Sequence, residues 1–201
     1  MHDETTALPA TASPARNTRQ RILDAANDLF YEHGIRATSA DRIIEQVGIT
    51  KVTFYRHFRT KNDLVVAYLE RQSAAEQAWM NSTVDDGDPL ATMHTIAADI
   101  GTASCSPGFR GCAFINAAAE YPDPHDPVRL AVAAHREWMI GFFAGVAGRA
   151  GVRDAGSVAN QLMILRDGAM VNGYLGDPLA LATSLDAGFS SILGAGNAAG
   201  D

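Results

Sequence analysis

From Asn17 onward, apolar residues return every three or four positions, and Ile22, Ala25, Ala26, Leu29 and Phe30 form the first such stripe. That is the period of an α-helix burying one face, and Gly34 ends it as a left-handed cap. Asn17 and Gln20 stand at the spacing of a capping pair. A second start falls at Thr38 with Asp41 three residues on, and Ala40, Ile43, Ile44 and Val47 mark a short helix that stops before Gly48. A third opens at Thr50 and buries Phe54 and Phe58, and a fourth opens at Thr60 with Asp63 three residues on.

Beyond Leu64 the same period continues under different punctuation. Asp88-Pro89, Asp126-Pro127 and Asp177-Pro178 each set an N-cap acceptor before a proline at the first helical position, where the missing N–H costs nothing. The spacing predicts helices at 61–83, 89–104, 111–120, 127–150, 155–176 and 178–194. No segment alternates as a strand would, and no internal repeat is visible. The expected fold is all-α with about nine helices. Residues 1–15, rich in Ala, Thr and Pro, read as a disordered arm, and 196–201 as a disordered tail, with fraying from Gly194.

A chain of 201 residues, 47% apolar and 19% charged, is long enough to bury a core in one or two domains. Its longest run free of Asp, Glu, Lys and Arg, from Ala187 to Gly200, covers 14 residues, whereas a bilayer span takes about 20. No membrane crossing is expected. Two cysteines, Cys105 and Cys112, are too few for a disulfide framework, and the opening residues lack the apolar core of a signal peptide, which gives a cytoplasmic address. The net charge of −7 argues against a polyanionic partner until it is mapped along the chain. Residues 16–61 carry nine basic against five acidic side chains, and residues 62–201 carry seven against sixteen. Both lysines, Lys51 and Lys61, lie in the basic quarter, which can face a polyanion while the remainder repels it.

Within that quarter two short helices meet at Gly48-Ile49, and the second reads Thr50-Lys51-Val52-Thr53-Phe54-Tyr55-Arg56-His57-Phe58. This is the helix-turn-helix pattern: Phe54 and Phe58 pack one face and leave Lys51, Val52, Thr53, Tyr55, Arg56 and His57 for a groove. A major groove about 12 Å wide admits one α-helix, and Lys, Thr, Tyr and Arg suit base edges and phosphates. A solvated helix in an ordinary bundle shows the same spacing, since such pairs also occur without nucleic acid.

The run RILDAANDLFYEHGIRATSADRIIEQVGITKVTFYRHFRTKNDLVVAYL, within Thr18 to Leu69, resembles the N-terminal domain of tetracycline-repressor-like (TetR/AcrR) transcriptional regulators. The likeness lies in the LF-x-x-x-G turn, the short second helix, the V-G-I-T-K junction, the F-Y-x-H-F block and the T-K-x-D-L that follows. It implies a three-helix DNA-binding domain over 16–62 and a helical ligand-binding and dimerisation domain over 63–195. It further implies that Thr38 and Thr50 hydrogen-bond phosphates near helix N-termini, that Tyr55 and His57 hold the DNA backbone, and that Lys61 clamps a phosphate. Lys51, Val52, Thr53 and Arg56 are then the candidates for base readout, Arg56 toward guanine and Val52 toward a thymine methyl. Family members usually carry Gly, Ala or Pro at the place of Val52, and a β-branched residue there would hold the helix farther from the groove floor.

One helix-turn-helix reads too few base pairs for genomic specificity, so a homodimer on a palindromic, double-stranded operator is expected. By the same resemblance the last two helices form a four-helix bundle with a second subunit, through Val158, Leu162, Leu165, Leu181, Leu185, Phe189 and Ile192, although an intrachain core has the same spacing. An effector pocket would lie between 61 and 176, drawing on Trp79, Met93, Ile96, Phe114, Asn116, Trp138, Met139, Phe142, Met163, Asp167, Met170 and Asn172. Apolar walls with sparse polar anchors suit a small apolar or amphipathic effector, and equally suit a plain core. Asp167, an acid in an otherwise apolar helix, needs a partner: Arg, a hydroxyl or the ligand.

Cys105 and Cys112, seven residues apart, leave open a redox switch or, with His94, His125 or His135, a metal site. The spacing is not a zinc pattern, and no metal or cofactor is expected. Without Gly-x-Ser-x-Gly, a phosphate-cradling glycine loop or His-Glu-x-x-His, the chain does not read as an enzyme. The reading that results is a ligand-responsive transcriptional repressor, with a redox- or protein-controlled DNA-binding regulator as the alternative.

Overall fold

The computed structural model describes residues 17–198, and all the regular structure among them is helical. The order is α1 Thr18–His33, α2 Ala40–Val47, α3 Lys51–His57, α4 Lys61–Ser82, α5 Pro89–Ser104, α6 Ala113–Glu120, α7 Pro127–Arg149, α8 Ala155–Leu175 and α9 Leu181–Ala198, with a 3₁₀ turn at Pro178–Ala180 before the last. The expected arm at 1–15 lies outside the described residues, as do 199–201 of the expected tail. Helix α9 runs to Ala198, past the end expected at 194.

Local chemistry sets the starts. Asn17 Oδ1 accepts the Gln20 N–H at 2.9 Å, and Thr60 and Asp63 cap each other's backbone N–H at 3.0 Å in a reciprocal box. Asp88, Asp126 and Asp177 accept backbone N–H groups ahead of their prolines. One start moves by a residue: α2 is capped by Ser39, whose Oγ accepts from Arg42 N at 3.1 Å. Thr38 is fully buried, its hydroxyl donating to the carbonyls of Leu29 and Gly34 at 3.1 and 2.9 Å. Gly48 turns the chain from α2 toward α3 in the left-handed region, φ 69° and ψ 43°, which a residue without Cβ enters at little cost.

Two apolar cores result. The first gathers α1, α2, α3 and the first half of α4 around Phe30, Phe54, Phe58 and Tyr68, and continues into Phe114 and Ala117 of α6 and Val128 and Val132 of α7. Burial there pushes the Tyr68 phenol up to about 12. The second joins the end of α4 to α5, α7, α8 and α9 through Met80, Met93, Ile96, Met139, Phe143, Leu162, Met163 and Phe189. Helix α4 thus spans both cores.

Helix α9 packs on α5 and α8 through Leu181, Leu185, Phe189 and Leu193, and His94 of α5 pairs with Asp186. Pro178–Gly196, 19 residues with mean hydropathy 1.2, is long and apolar enough to cross a membrane by length and composition alone. Asp186 divides it, so it holds no uninterrupted charge-free run of bilayer length. Val158, Leu162, Leu181, Leu185 and Phe189, expected at a subunit interface, sit instead inside the chain's own second core. The same helical phase that marked them as apolar turns them inward. Leu165 and Ile192 are only partly buried.

Candidate functional site

Helix α3 is anchored by Phe54 and Phe58, both buried, with ring centroids 6.2 Å apart. The Arg19 guanidinium lies 5.0 Å over Phe58, and Arg21 Nη2 donates to the Val47 carbonyl at 2.5 Å, tying α1 to the end of α2. Anchored this way, α3 presents Lys51, Val52, Tyr55, Arg56 and His57 to solvent, with Val52 64% and Tyr55 48% exposed. Thr53 is half-buried, and Thr50 caps the helix by accepting the Thr53 N–H at 3.1 Å. Lys51 Nζ reaches Asp41 of α2 at 2.9 Å, and that hydrogen bond raises the ammonium's pKa.

Two of the expected phosphate ligands are used differently. Thr38 has no free hydroxyl to offer, because both its direction and its proton belong to the α1–α2 turn; Ser39 takes its place on the surface. Lys61 leans inward, with Nζ donating to the Ile35 carbonyl at 2.6 Å and lying 6.0 Å from the Phe30 ring centre. Burial lowers its pKa, against the pull of Glu120. Arg42, exposed one turn into α2, meets His33 Nε2 at 2.8 Å.

Helix α6 holds this head by both ends. At its C-terminus the Glu120 carboxylate accepts the N–H of Ile35 at 2.8 Å and of Arg36 at 2.5 Å. A Cβ on Gly34 would lie 3.3 Å from Glu120 Oε1, so the turn is shaped to admit the carboxylate. Before its N-terminus, Tyr31 of α1 donates its hydroxyl to the Gly111 carbonyl at 3.0 Å and accepts from Arg110 N at 2.8 Å. Burial raises the Tyr31 pKa.

Between these ties lies a cleft of about 420 Å³ bounded by α1, α4, α5, α8 and the segment leading into α6. Trp79, Phe109, Cys112, Phe114 and Met170 line it above Glu76 and Arg166. Arg166, only 5% exposed, pairs with Glu76, and its other nitrogen lies 3.4 Å from Asp167. His135 stacks on Phe114 with centroids 3.6 Å apart; its Nδ1 meets Ser73 Oγ at 2.9 Å and its Nε2 lies 3.2 Å from Glu76, out of line for a hydrogen bond. Burial works to raise the Glu76 pKa, but His135 and Arg166 outweigh it and hold the carboxyl below its usual range. Burial likewise opposes the Arg166 charge, yet Cys112 and Glu76 beside it raise its pKa.

A second groove, of about 590 Å³, runs between α6, α7 and α8 past Arg129, Arg136, Asp167 and Asn172. A third, of about 650 Å³, lies between α8 and α9 along Ile164, Leu165, Leu181 and Ile192.

The expected effector pool divides accordingly. Trp79, Phe114 and Met170 line the cleft, and Asp167 and Asn172 line the second groove. Asp167 finds its partner in Arg136, at 2.6 Å. Met93, Ile96, Met139 and Met163 are core residues, buried because their positions fall on the inward stripes of their helices. Trp138 and Phe142 join an aromatic run from His135 to Phe189, and Asn116 donates to the Arg110 carbonyl at 2.9 Å. Cys105 is exposed, Cys112 buried, and both are free thiols. Among the described residues no three His, Cys, Asp or Glu side chains gather as a metal site would require. Sequence reasoning missed Glu76, Arg166 and Glu120.

The sequence model of bacterial regulatory proteins of the tetR family matches residues 22–68. Two curated bacterial regulators are similar over 88 residues: the HTH-type transcriptional regulator TtgR of Pseudomonas putida, 33% identical over 43% of this chain and 42% of its own length, and AcrR of Shigella flexneri, 34% identical over 43% and 41%. The chain thus spans about two-fifths of the length of these relatives. Solved structures extend the likeness. A TetR-family transcriptional regulator from Streptomyces coelicolor is 37% identical with a TM-score of 0.82, covering 88% of this chain and 94% of its own. A putative regulator of the same kind from Streptomyces avermitilis is 25% identical with a TM-score of 0.78, covering 90% and 99%. With an exposed α3 seated in a helix-turn-helix and a match over nearly its whole length to a solved member, the chain belongs to the TetR family of bacterial DNA-binding transcriptional regulators.

Proposed function

We propose that this chain acts as a homodimeric repressor in the cytoplasm, that it sets its two α3 helices in successive major grooves of a palindromic operator, and that it is released when a small molecule fills the cleft beside Trp79 and Phe114. The exposed face of α3 carries the DNA half of this reading. Lys51, Val52, Thr53 and Arg56 would meet base edges, with Thr50, Tyr55 and His57 on the flanking backbone. Ser39 replaces Thr38 as the phosphate ligand at the start of α2, and Lys61 braces the turn while two of its N–H donors stay available.

The dimer is supported by apolar side chains that the single chain leaves in water: Ile164, Val171, Tyr174, Leu175 and Leu179 on α8 and the turn after it, 43–82% exposed and adjoining the α8–α9 groove. A patch of this kind is covered at little cost by its own copy across a two-fold axis, which also sets the separation of the α3 helices at about 34–36 Å. The coupling would run through α6, because Phe114 walls the cleft while Glu120 and the Tyr31–Gly111 contact grip the DNA-binding head. An effector weakens operator binding only by preferring the state in which α3 is misplaced.

Footprinting of the region flanking the gene tests the reading. A palindromic footprint whose affinity falls steeply with salt is expected. Joint replacement of Lys51, Tyr55 and Arg56 by alanine should cost at least about 100-fold in affinity. Undiminished operator occupancy by the folded triple variant would refute it.

A further inference from the structure

We infer that the molecule taken up by this cleft is an uncharged, flat aromatic one bearing a neutral hydrogen-bonding edge. The inference rests on reading the cleft as the effector site and adds the ligand's charge class. Its ground is the pairing of charges in the network that Glu76 and Arg166 form at the cleft and that Asp167 and Arg136 continue into the second groove. One Glu76 oxygen is held by Arg166 and the other lies 3.2 Å from His135, while Asp167 has one oxygen on Arg136 at 2.6 Å and the other 3.4 Å from Arg166. Two carboxylates thus answer two guanidiniums before any ligand arrives.

A carboxylate ligand reaching Arg166 would have to displace Glu76, and an ammonium reaching Glu76 would have to displace Arg166. Each leaves a charge stranded where water is scarce, which costs more than the new pair returns. The walls point the same way. Trp79 turns its indole N–H outward to Asp99 at 2.7 Å, and so offers the cleft its carbon faces beside Phe109, Phe114 and the Met170 thioether. Beside the Cys112 thiol at Arg166, the wall carries Tyr31 and the Gln72–Asn27 pair, hydrogen-bonded dipoles that can trade a partner with a neutral ligand without moving a charge.

The test compares three naphthalenes of one skeleton by isothermal titration calorimetry on the full chain: the 2-carboxamide, the 2-carboxylate and the 2-aminomethyl cation. The carboxamide should bind at least about tenfold more tightly than either ion, and should lose its binding in Ala103→Trp, which places an indole at the exposed rim of the cleft. If the carboxylate or the amine binds as well as the amide, at the same rim-sensitive site, the charge rule is overturned and the cleft remains an effector site. If none of the three binds, or if binding ignores Ala103→Trp, the effector reading falls and takes the charge rule with it. Glu76→Gln leaves Arg166 short of one counter-charge and should swing the preference to the carboxylate; a folded Glu76→Gln protein that still rejects it overturns the inference. The wild-type comparison decides the matter alone should that variant not fold.

Discussion

Glu76 stands between a buried guanidinium and a buried imidazole, and its removal leaves Arg166 with Asp167 at 3.4 Å and no closer acid. Glu76→Ala is expected to cost about 3–5 kcal/mol in urea unfolding, the usual penalty for stranding one member of a buried pair. Because its folded pKa lies below the model-compound value of 4.5, Glu76 contributes stability that is complete above about 4.5 and lost as pH falls through the lower folded value. Acid unfolding of Glu76→Gln should therefore show a shallower slope in that window than wild type. On α3, Lys51 is held by Asp41 of α2, an acid beside a side chain proposed to meet the DNA. Asp41→Asn should tighten operator binding and steepen the salt dependence by about one counterion, measured by fluorescence anisotropy across a salt series. Residue chemistry was legible where the need was local, as at Thr50 and Asp63. It failed at Thr38 and Ser39, two adjacent cap-formers between which only the closure of the α1–α2 turn decides. It failed again at Arg166: the sequence singled out Asp167, yet Leu162, Met163 and Ala169 put position 166 on the buried stripe, and a guanidinium there is intelligible only once Glu76 is brought to it from α4.

Helix boundaries were legible almost throughout, because Asp-Pro starts and glycine stops act within one turn of themselves. Gly48 is the clearest case. Its φ of 69° favours a residue without Cβ, and since nothing lies within 4 Å of where a Cβ would stand, Gly48→Ala should cost backbone strain alone, about 1 kcal/mol read as a lowered Tm. Helix α6 shows the limit of such reading. Its end before Tyr-Pro-Asp-Pro was visible, but the grip of Glu120 on Ile35 and Arg36 spans 85 and 84 residues, and no local pattern encodes it. That grip predicts a function for a residue far from the DNA. Glu120→Ala should leave α3 folded, yet reduce the effector-induced loss of operator affinity several-fold, measured as the ratio of affinities with and without ligand. An unchanged ratio would place the coupling elsewhere than α6.

At the level of the whole molecule, most of the side chains expected at a subunit interface are buried within the single chain. Periodicity marks an apolar face without saying which of two faces meets a partner, and α8 with the turn after it carries both: Leu162 inward, with Leu185 and Phe189 of α9, and Ile164, Leu175 and Leu179 outward. Ile164→Glu combined with Leu179→Glu should therefore give a folded monomer by light scattering, with operator affinity reduced to that of one half-site. The distribution of charge acts on the same scale. With basic side chains in excess over 16–61, the stretch that builds α1, α2 and α3, and acidic ones in excess beyond, the chain carries a permanent electric moment. Near a duplex such a body is rotated before it touches, so productive collisions begin with the reading end foremost. Two copies on one duplex would each bring a net negative charge, and in dilute salt their mutual repulsion would disfavour close neighbours.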